Sequence, residues 1–366
     1  MHPMKVMSYA NYVNRYFIKK DPVEVTFFIT SQCELRCKHC CNWVNTSSLD
    51  LKNELSLQEI KATSKSMKPF LRLLLSGGEP FVRKDISDIC YAFYRNNNVK
   101  HITIPTNAFS TSKIIDSTEQ IARNCKEALI NIGLSLDGLY EQRDEIMGVK
   151  DTFRRFEETY RELTKLKHKY SNLAVGTITT QTPDNEDSVE EIIEYALNKP
   201  KIDNVSYSLV RGILKDGVEA EVDIDKYKEM GKLIFDSREK ASKMNFPLAR
   251  IFRARRKLIY DVITKTYEEK KWQLPCYAGR LRAVIDQQGL VYPCETLMFN
   301  GKENAIGSLR KADYDFMKIW HSHKAKEIRN WIVNEKCFCR HECDVAVNVL
   351  FNLRLLPKLL KVGLKA

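Results

Sequence analysis

The sequence predicts an α/β fold of six parallel strand–helix units. Short β-branched and aromatic runs alternate with helical stretches from residue 23 to 210, and such alternation implies right-handed β/α crossovers. The polar motifs of this region fall just after the predicted strands, where the chemistry of a barrel of such units is carried. The chain has 366 residues and is 43% hydrophobic, enough for a full catalytic domain with a small appendage.

Residues 23–30 (VEVTFFIT) read as the first strand, and a cysteine-rich loop follows. Ser56-Leu57-Gln58-Glu59 has the pattern of a capping box and opens a helix to about residue 68. Residues 70–75 form a short buried strand that leads into Ser76-Gly77-Gly78-Glu79-Pro80. A helix over 85–95, a strand over 101–107 and a helix over 112–125 come next. The fourth strand, 128–136, ends at Asp137-Gly138; a long helix over 152–170, a strand over 173–179, a helix over 189–198 and a strand over 204–210 complete the series.

In the loop after the first strand, Cys33, Cys37 and Cys40 stand at C-x3-C-x2-C. That spacing can turn three thiolates toward one point, and soft thiolates suit an iron–sulfur cluster or zinc. A cubic [4Fe-4S] cluster on three ligands keeps one iron open to a small molecule. Zinc sites usually take four ligands at paired spacings and are the weaker reading. Cys41 reads as a packed thiol, because adjacent residues cannot easily point at one cluster; Cys90 and Cys125, in predicted helices, read as core thiols.

The C-x3-C-x-aromatic-C loop, with His39 at the aromatic place, and the later Gly77-Gly78-Glu79-Pro80 together resemble the radical S-adenosylmethionine (SAM) enzymes. The resemblance implies a partial (β/α)6 TIM barrel and a cluster whose open iron is chelated by SAM. One electron then cleaves SAM to methionine and a 5′-deoxyadenosyl radical, which takes a hydrogen atom from substrate, while the protein holds the geometry and excludes water. On this reading Ser76, Gly77 and Gly78 let the methionine amino group approach the main chain, and Glu79 adds a charge-assisted acceptor. Asn107, Ser135 and Asp137 sit where the family contacts ribose or carboxylate. Many relatives carry H-D-x-I-R-G where this chain has Arg143-Asp144-Glu145-Ile146-Met147-Gly148, so the usual Arg is Met147 and Arg143 or Arg211 takes its place. No catalytic residue beyond these cofactor contacts is assigned.

A second cysteine group comprises Cys276, Cys294, Cys337, Cys339 and Cys343, with a hairpin turning near Gln288-Gly289 between the first two, and a later helix through Trp320. Its order resembles the SPASM/twitch extension of the same family, which holds auxiliary clusters. The usual C-x2-C-x5-C-x3-C array shrinks here to C-x-C-x3-C, which implies one auxiliary [4Fe-4S] cluster. Cys276, Cys294 and Cys343 lead its ligands, and Cys339 precedes Cys337 as the fourth because it keeps the x3 spacing. Zinc on the same ligands is the rival.

The expected division is a radical SAM barrel over 1–218, linking helices over 219–270, a twitch/SPASM-like domain over 271–345 and a basic amphipathic helix over 346–366. In the linking helices, Arg250, Arg253, Arg255, Arg256 and Lys257 read as a solvated face, with an anion site as the alternative. The tail is apolar apart from Arg354, Lys358, Lys361 and Lys365, and Pro357 divides it. It either packs back on the barrel or lies on an anionic membrane surface.

Net charge is +12 from 59 basic and 47 acidic residues, which favours anionic partners; nucleic acid is not expected among them. No apolar run reaches the eighteen or so residues of a membrane span, and residues 1–16 lack the apolar region of a signal peptide. Eleven cysteines, an odd number, then read as ligands and thiols of a reducing compartment. The expected location is cytoplasmic, with the inner membrane face as a peripheral alternative. The expected substrate is a small molecule, sugar or lipid-linked compound, with an external one-electron donor such as flavodoxin or ferredoxin. A maturase making a thioether, carbon–carbon crosslink or epimer in a ribosomal peptide is the alternative. Such relatives usually carry an N-terminal winged helix, for which residues 1–21 are too short.

Overall fold

The computed structural model describes residues 10–43, 50–212, 221–237 and 249–365. After a short helical turn, Ala10–Val13, the elements run β1 (Glu24–Thr30), α1 (Leu57–Ser66), β2 (Arg72–Gly77), α2 (Ile86–Asn97), β3 (His101–Thr106) and α3 (Thr111–Asn124). They continue as β4 (Leu129–Ser135), α4 (Tyr140–Met147), α5 (Thr152–Leu166), β5 (Leu173–Gln181), α6 (Val189–Asn198) and β6 (Asn204–Leu209). Then come α7 (Ile224–Asp236), α8 (Ala249–Glu269), β7 (Arg282–Ile285), β8 (Leu290–Tyr292), α9 (Glu295–Phe299), β9 (Gly307–Ser308), α10 (Phe316–Trp320), α11 (His323–Asn334), α12 (Glu342–Leu350) and α13 (Leu356–Lys365).

The strands form one sheet in the order β6-β5-β4-β3-β2-β1-β7-β8-β9, with β1 to β6 in parallel register. The six sequence-predicted strands match within a few residues at each end. β1 and the first four residues of β3 are buried without interruption, as a sheet covered on both faces requires. The capping box of α1 is complete: Ser56 Oγ accepts from Glu59 N and Glu59 Oε2 accepts from Ser56 N. The helix α4 escaped the sequence reading. Its sequence, YEQRDEIM, offers no apolar stripe, and it is held by burial of Arg143, Ile146 and Met147.

Two expectations about the C-terminal part change. The hairpin of β7 and β8 does not stand apart. β7 pairs in parallel with β1, Glu24 opposite Arg282 and Phe27 opposite Ile285, and so extends the barrel sheet. Its turn is fixed by Asp286, whose Oδ1 accepts from Gln288 N and Leu290 N, and by Gly289 at φ +86°. The tail packs back. α8 makes contacts with α7, α12 and α13, and Leu359 of α13 is fully buried with Leu355 and Val362 beside it. The packing against α8 takes Leu359 and part of Leu355 and Val362 from the face that the membrane reading needs, while Leu353 and Leu360 stay exposed. The tail divides at residues 351–355, not at Pro357, which occupies the first turn of α13, where its missing N–H leaves no bond unmade. The side chain of Lys365 lies outside the described residues. No helix among the described residues is long and apolar enough to cross a membrane.

The N-terminal end of α8 closes the barrel where its strands begin. Ala249 and Phe252 pack with Leu71, Leu129 and Ala174, and the Phe252 ring stacks on His101 at 5.7 Å.

Candidate functional site

The loop after β1 brings Cys33, Cys37 and Cys40 to the end of the barrel where the strands finish. Burial pushes the Cys33 thiol up to about 12, and Glu79, Glu34 and Cys40 add to it. Burial also raises Cys37, with Cys40 and Cys33 adding and Arg143 opposing. The three partly buried thiols therefore lie close enough that each ionised one would disfavour the next, and a cation among them would let all ionise. That donor set fits an iron–sulfur cluster. A single tetrahedral zinc would need sulfurs roughly 3.8 Å apart. Among the described residues, the only three such ligand atoms within 4.8 Å of one another are those of Glu295, His341 and Cys343.

The residues around the loop do more structural work than the sequence shows. A Cβ on Gly77 would lie 2.2 Å from the Thr30 carbonyl oxygen and one on Gly78 2.1 Å from that of Gln32. Gly78 N donates to Thr30 O and Glu79 N to Gln32 O. These glycines are thus also required by the backbone of β1 and its loop. Glu79 is 1% exposed, and both its carboxylate oxygens are taken. Oε1 accepts from Phe81 N and Thr106 Oγ1 and Oε2 from Asn107 N, so it ties the end of β2 to the end of β3. Burial raises its pKa to about 7.

Asn107 stands against the loop: its Nδ2 lies 3.7 Å from Cys33 Sγ and 3.4 Å from Glu34 Oε2. Glu34, which sequence reasoning passed over, is also bound by Ser110 Oγ at 2.8 Å. Asp137 Oδ1 accepts from Thr180 N at 2.6 Å, and its Oδ2 is 3.5 Å from His39 Nε2, which anchors the loop to the end of β4. Ser135 contributes its carbonyl, which accepts from Arg143 Nη2 at 2.9 Å; the same nitrogen donates to Asn107 O at 3.0 Å.

The two candidate arginines separate. Arg143 is fully buried beside Cys37 and Asp137, over the Phe156 ring, with Nε and Nη1 lacking an acceptor among the described residues. Burial lowers its pKa to about 10 against the pull of Asp137 and Cys37. Met147, at the family's arginine position, instead places its sulfur 3.1 Å from Cys37 Sγ. Arg211 lies elsewhere, 3.7 Å from Glu295 on the wall of the barrel cavity, and Cys41 is enclosed close to it.

The second thiol group also differs from its expected membership. Burial pushes Cys276 up to about 12, with Asp344 and Cys337 adding. Burial likewise raises Cys294 and Cys339; Cys339 and Cys276 act on Cys294, and Cys276 and Cys337 on Cys339. These four thiols form one neighbourhood, so Cys337 joins Cys339 and the two do not compete. Cys343, expected among the leading ligands, is turned away from them. It starts α12 facing the barrel, where Arg282, Glu295, Glu24 and Arg211 act on its buried thiol. The x3 spacing misled because residue 342 already lies in the helix, which rotates Cys343 inward. Its neighbours form a dense ionic network. Arg282, with no exposure, reaches Glu295 at 2.5 Å, Asp344 at 3.3 Å and Glu24 at 3.4 Å, and His341 stands between Asp344 and Glu295.

Inside the barrel lies a cavity of about 350 Å³, within the range of small-molecule sites. Ser76, Ser208, Arg211 and Cys343 line it toward the strand ends, and Arg72, His101 and Phe252 toward the strand starts.

A profile of the radical SAM superfamily matches residues 27–196, and one of an iron–sulfur cluster-binding domain, SPASM, matches residues 276–344. Among curated proteins, the chain is 29% identical over 233 residues to Fe-coproporphyrin III synthase of Methanosarcina barkeri, covering 62% of this chain and 54% of that one. It is 27% identical over 217 residues to GTP 3′,8-cyclase of Helicobacter pylori, covering 56% and 63%. The chain thus spans between half and two thirds of the length of these relatives. Among solved structures, Streptococcus suis SuiB aligns with a TM-score of 0.57 at 15% identity, over 88% of this chain and 71% of that one. Native anSMEcpe with bound AdoMet and Kp18Cys peptide gives 0.58 at 15%, over 94% and 100%. At such identities the likeness is one of fold.

Proposed function

We propose that this chain, which matches the radical SAM superfamily over residues 27–196 and the SPASM iron–sulfur domain over residues 276–344, cleaves SAM reductively and removes a hydrogen atom from a small molecule held in the barrel cavity. The observation that carries this reading is a loop of three partly buried thiols after β1 in a barrel whose interior holds a cavity of small-molecule size, reaching Ser76 and Ser208 near the strand ends. Cys33, Cys37 and Cys40 would hold the SAM cluster. When bound, the cluster and SAM supply the electron and the hydrogen-abstracting chemistry. The chain supplies position. Arg143 would hold the SAM carboxylate through the two nitrogens that have no acceptor among the described residues. Glu79 and Asp137 fix the strand ends and His39, and Asn107 faces Cys33. Cys276, Cys294, Cys337 and Cys339 would hold one auxiliary cluster. An external one-electron donor completes the system.

The named curated relatives are a synthase of Fe-coproporphyrin III and a cyclase of GTP, both small molecules, which favours that class over a peptide. The peptide-bound neighbours share the fold alone.

Anaerobic reconstitution followed by chromatography of the products tests the reading. The wild type should release 5′-deoxyadenosine from SAM under reduction, and C33A/C37A/C40A should release none while keeping its fold. SAM cleavage by the triple variant would sink the assignment.

A further inference from the structure

The floor of the cavity gathers positive charge. Arg72, Arg253, Arg255 and Arg256 all line it, beside His101. Arg72 is balanced by Glu24 at 3.0 Å. Arg256 Nη1 donates to the neutral Val205 carbonyl at 2.6 Å, and among the described residues no carboxylate acts on its charge. Arg255 lies 4.7 Å from the centre of the Phe252 ring with a buried Nε that no acceptor meets. Glu24, the carboxylate that acts on it most among the described residues, is already shared with Arg72 and Arg282. Burying guanidinium groups without counter-charge is costly, and a cavity between them is where a counter-charge fits. Their planar forks match carboxylate and phosphate.

Position sharpens this. Arg72 begins β2 and Ser76 lies near its end, and a strand rises about 3.3 Å per residue, so the basic floor is roughly 13 Å from the strand-end level of the cysteine loop. We infer that the floor of the barrel binds anionic groups, carboxylate or phosphate, at one end of an elongated substrate whose other end faces the loop. This rests on the proposed function only in naming the ligand a substrate. It replaces the sequence reading of Arg253, Arg255 and Arg256 as a solvated helix face.

Calorimetric titration of the anaerobically reconstituted full chain with pyrophosphate, and separately with citrate, tests it. Saturable binding of at least one is expected, weakening as KCl rises. It should fall tenfold or more in R255Q/R256Q and be largely kept in R255K/R256K. Pyrophosphate alone would mark a phosphate ligand, and citrate alone a carboxylate. Should the glutamine pair fail to fold, R255Q carries the test by itself, since its Nε makes no hydrogen bond to protein. No saturable binding of either anion, or undiminished binding by the glutamine variants, overturns the inference. SAM cleavage assayed in parallel keeps the two readings apart. Cleavage without anion binding overturns this inference alone, and anion binding without cleavage overturns only the catalytic reading.

Discussion

Arg143 and Glu79 show how much one side chain's surroundings decide. Both occur in motifs that a sequence scan picks out, yet Glu79 spends its carboxylate on three protein donors while Arg143 keeps two nitrogens unmet among the described residues. Replacing Glu79 with Gln puts an amide NH2 against one of those donors. A buried donor left unsatisfied costs about 1–3 kcal/mol, so E79Q should lower the urea midpoint by a corresponding amount. Replacing Arg143 with Met should leave iron content intact and weaken SAM binding about tenfold, as equilibrium dialysis of the reconstituted protein would register. Undiminished SAM affinity would assign Arg143 to packing alone. The identity of these residues was legible in the sequence and their division of labour was not, because it depends on the Thr106 hydroxyl and the Asn107 and Ser135 backbone that the fold brings in.

At the scale of elements, the helix α1 joins the two ends of the chain. Glu59 closes its capping box and accepts from Arg310 Nε at 3.0 Å and from Tyr314 at 2.6 Å. The hydrogen bond from Arg310 chiefly lowers its pKa, to about 2. A carboxylate depressed in the folded state contributes stability that is complete above its unfolded pKa and is lost as pH falls through the folded one. The difference in melting temperature between wild type and E59Q should therefore shrink as pH drops from about 5 toward 2. A difference that stays constant over that range would mean the ion pair contributes nothing through charge. The start of α12 yields a second test. C337A should lose auxiliary iron and C343A should keep it, measured against the C33A/C37A/C40A background; the reverse would restore Cys343 as a ligand. Sequence spacing located the cysteines of this region and not their directions, since one helical turn reverses where a side chain points.

For the molecule as a whole, the parallel strands, their order along the chain and the cysteine loop were readable from periodicity and motif, because local pattern and tertiary placement agree there. The joining of β7 to β1 was not. Nothing in residues 282–285 distinguishes an added barrel strand from a free hairpin, since both bury the same apolar run. The tail was readable as an amphipathic helix, while the choice of partner belonged to α8. Cutting the chain after residue 352 should expose that face and lower the melting temperature. L359A alone should cost about 2–5 kcal/mol. Intact protein should not float with anionic vesicles, and flotation would bring back the surface-bound reading.

The pairing of β1 with β7 also sets a clock on synthesis. Arg282 follows its strand partner Glu24 by more than 250 residues, so at about 5–20 residues per second the first strand leaves the ribosome roughly 13–50 s before its neighbour exists. Until then one edge of β1 offers unpaired backbone to any passing strand, a recognised route to aggregation. The nascent chain therefore needs an escort for an edge that the finished protein never shows, and a fragment ending before residue 282 would keep that edge for good.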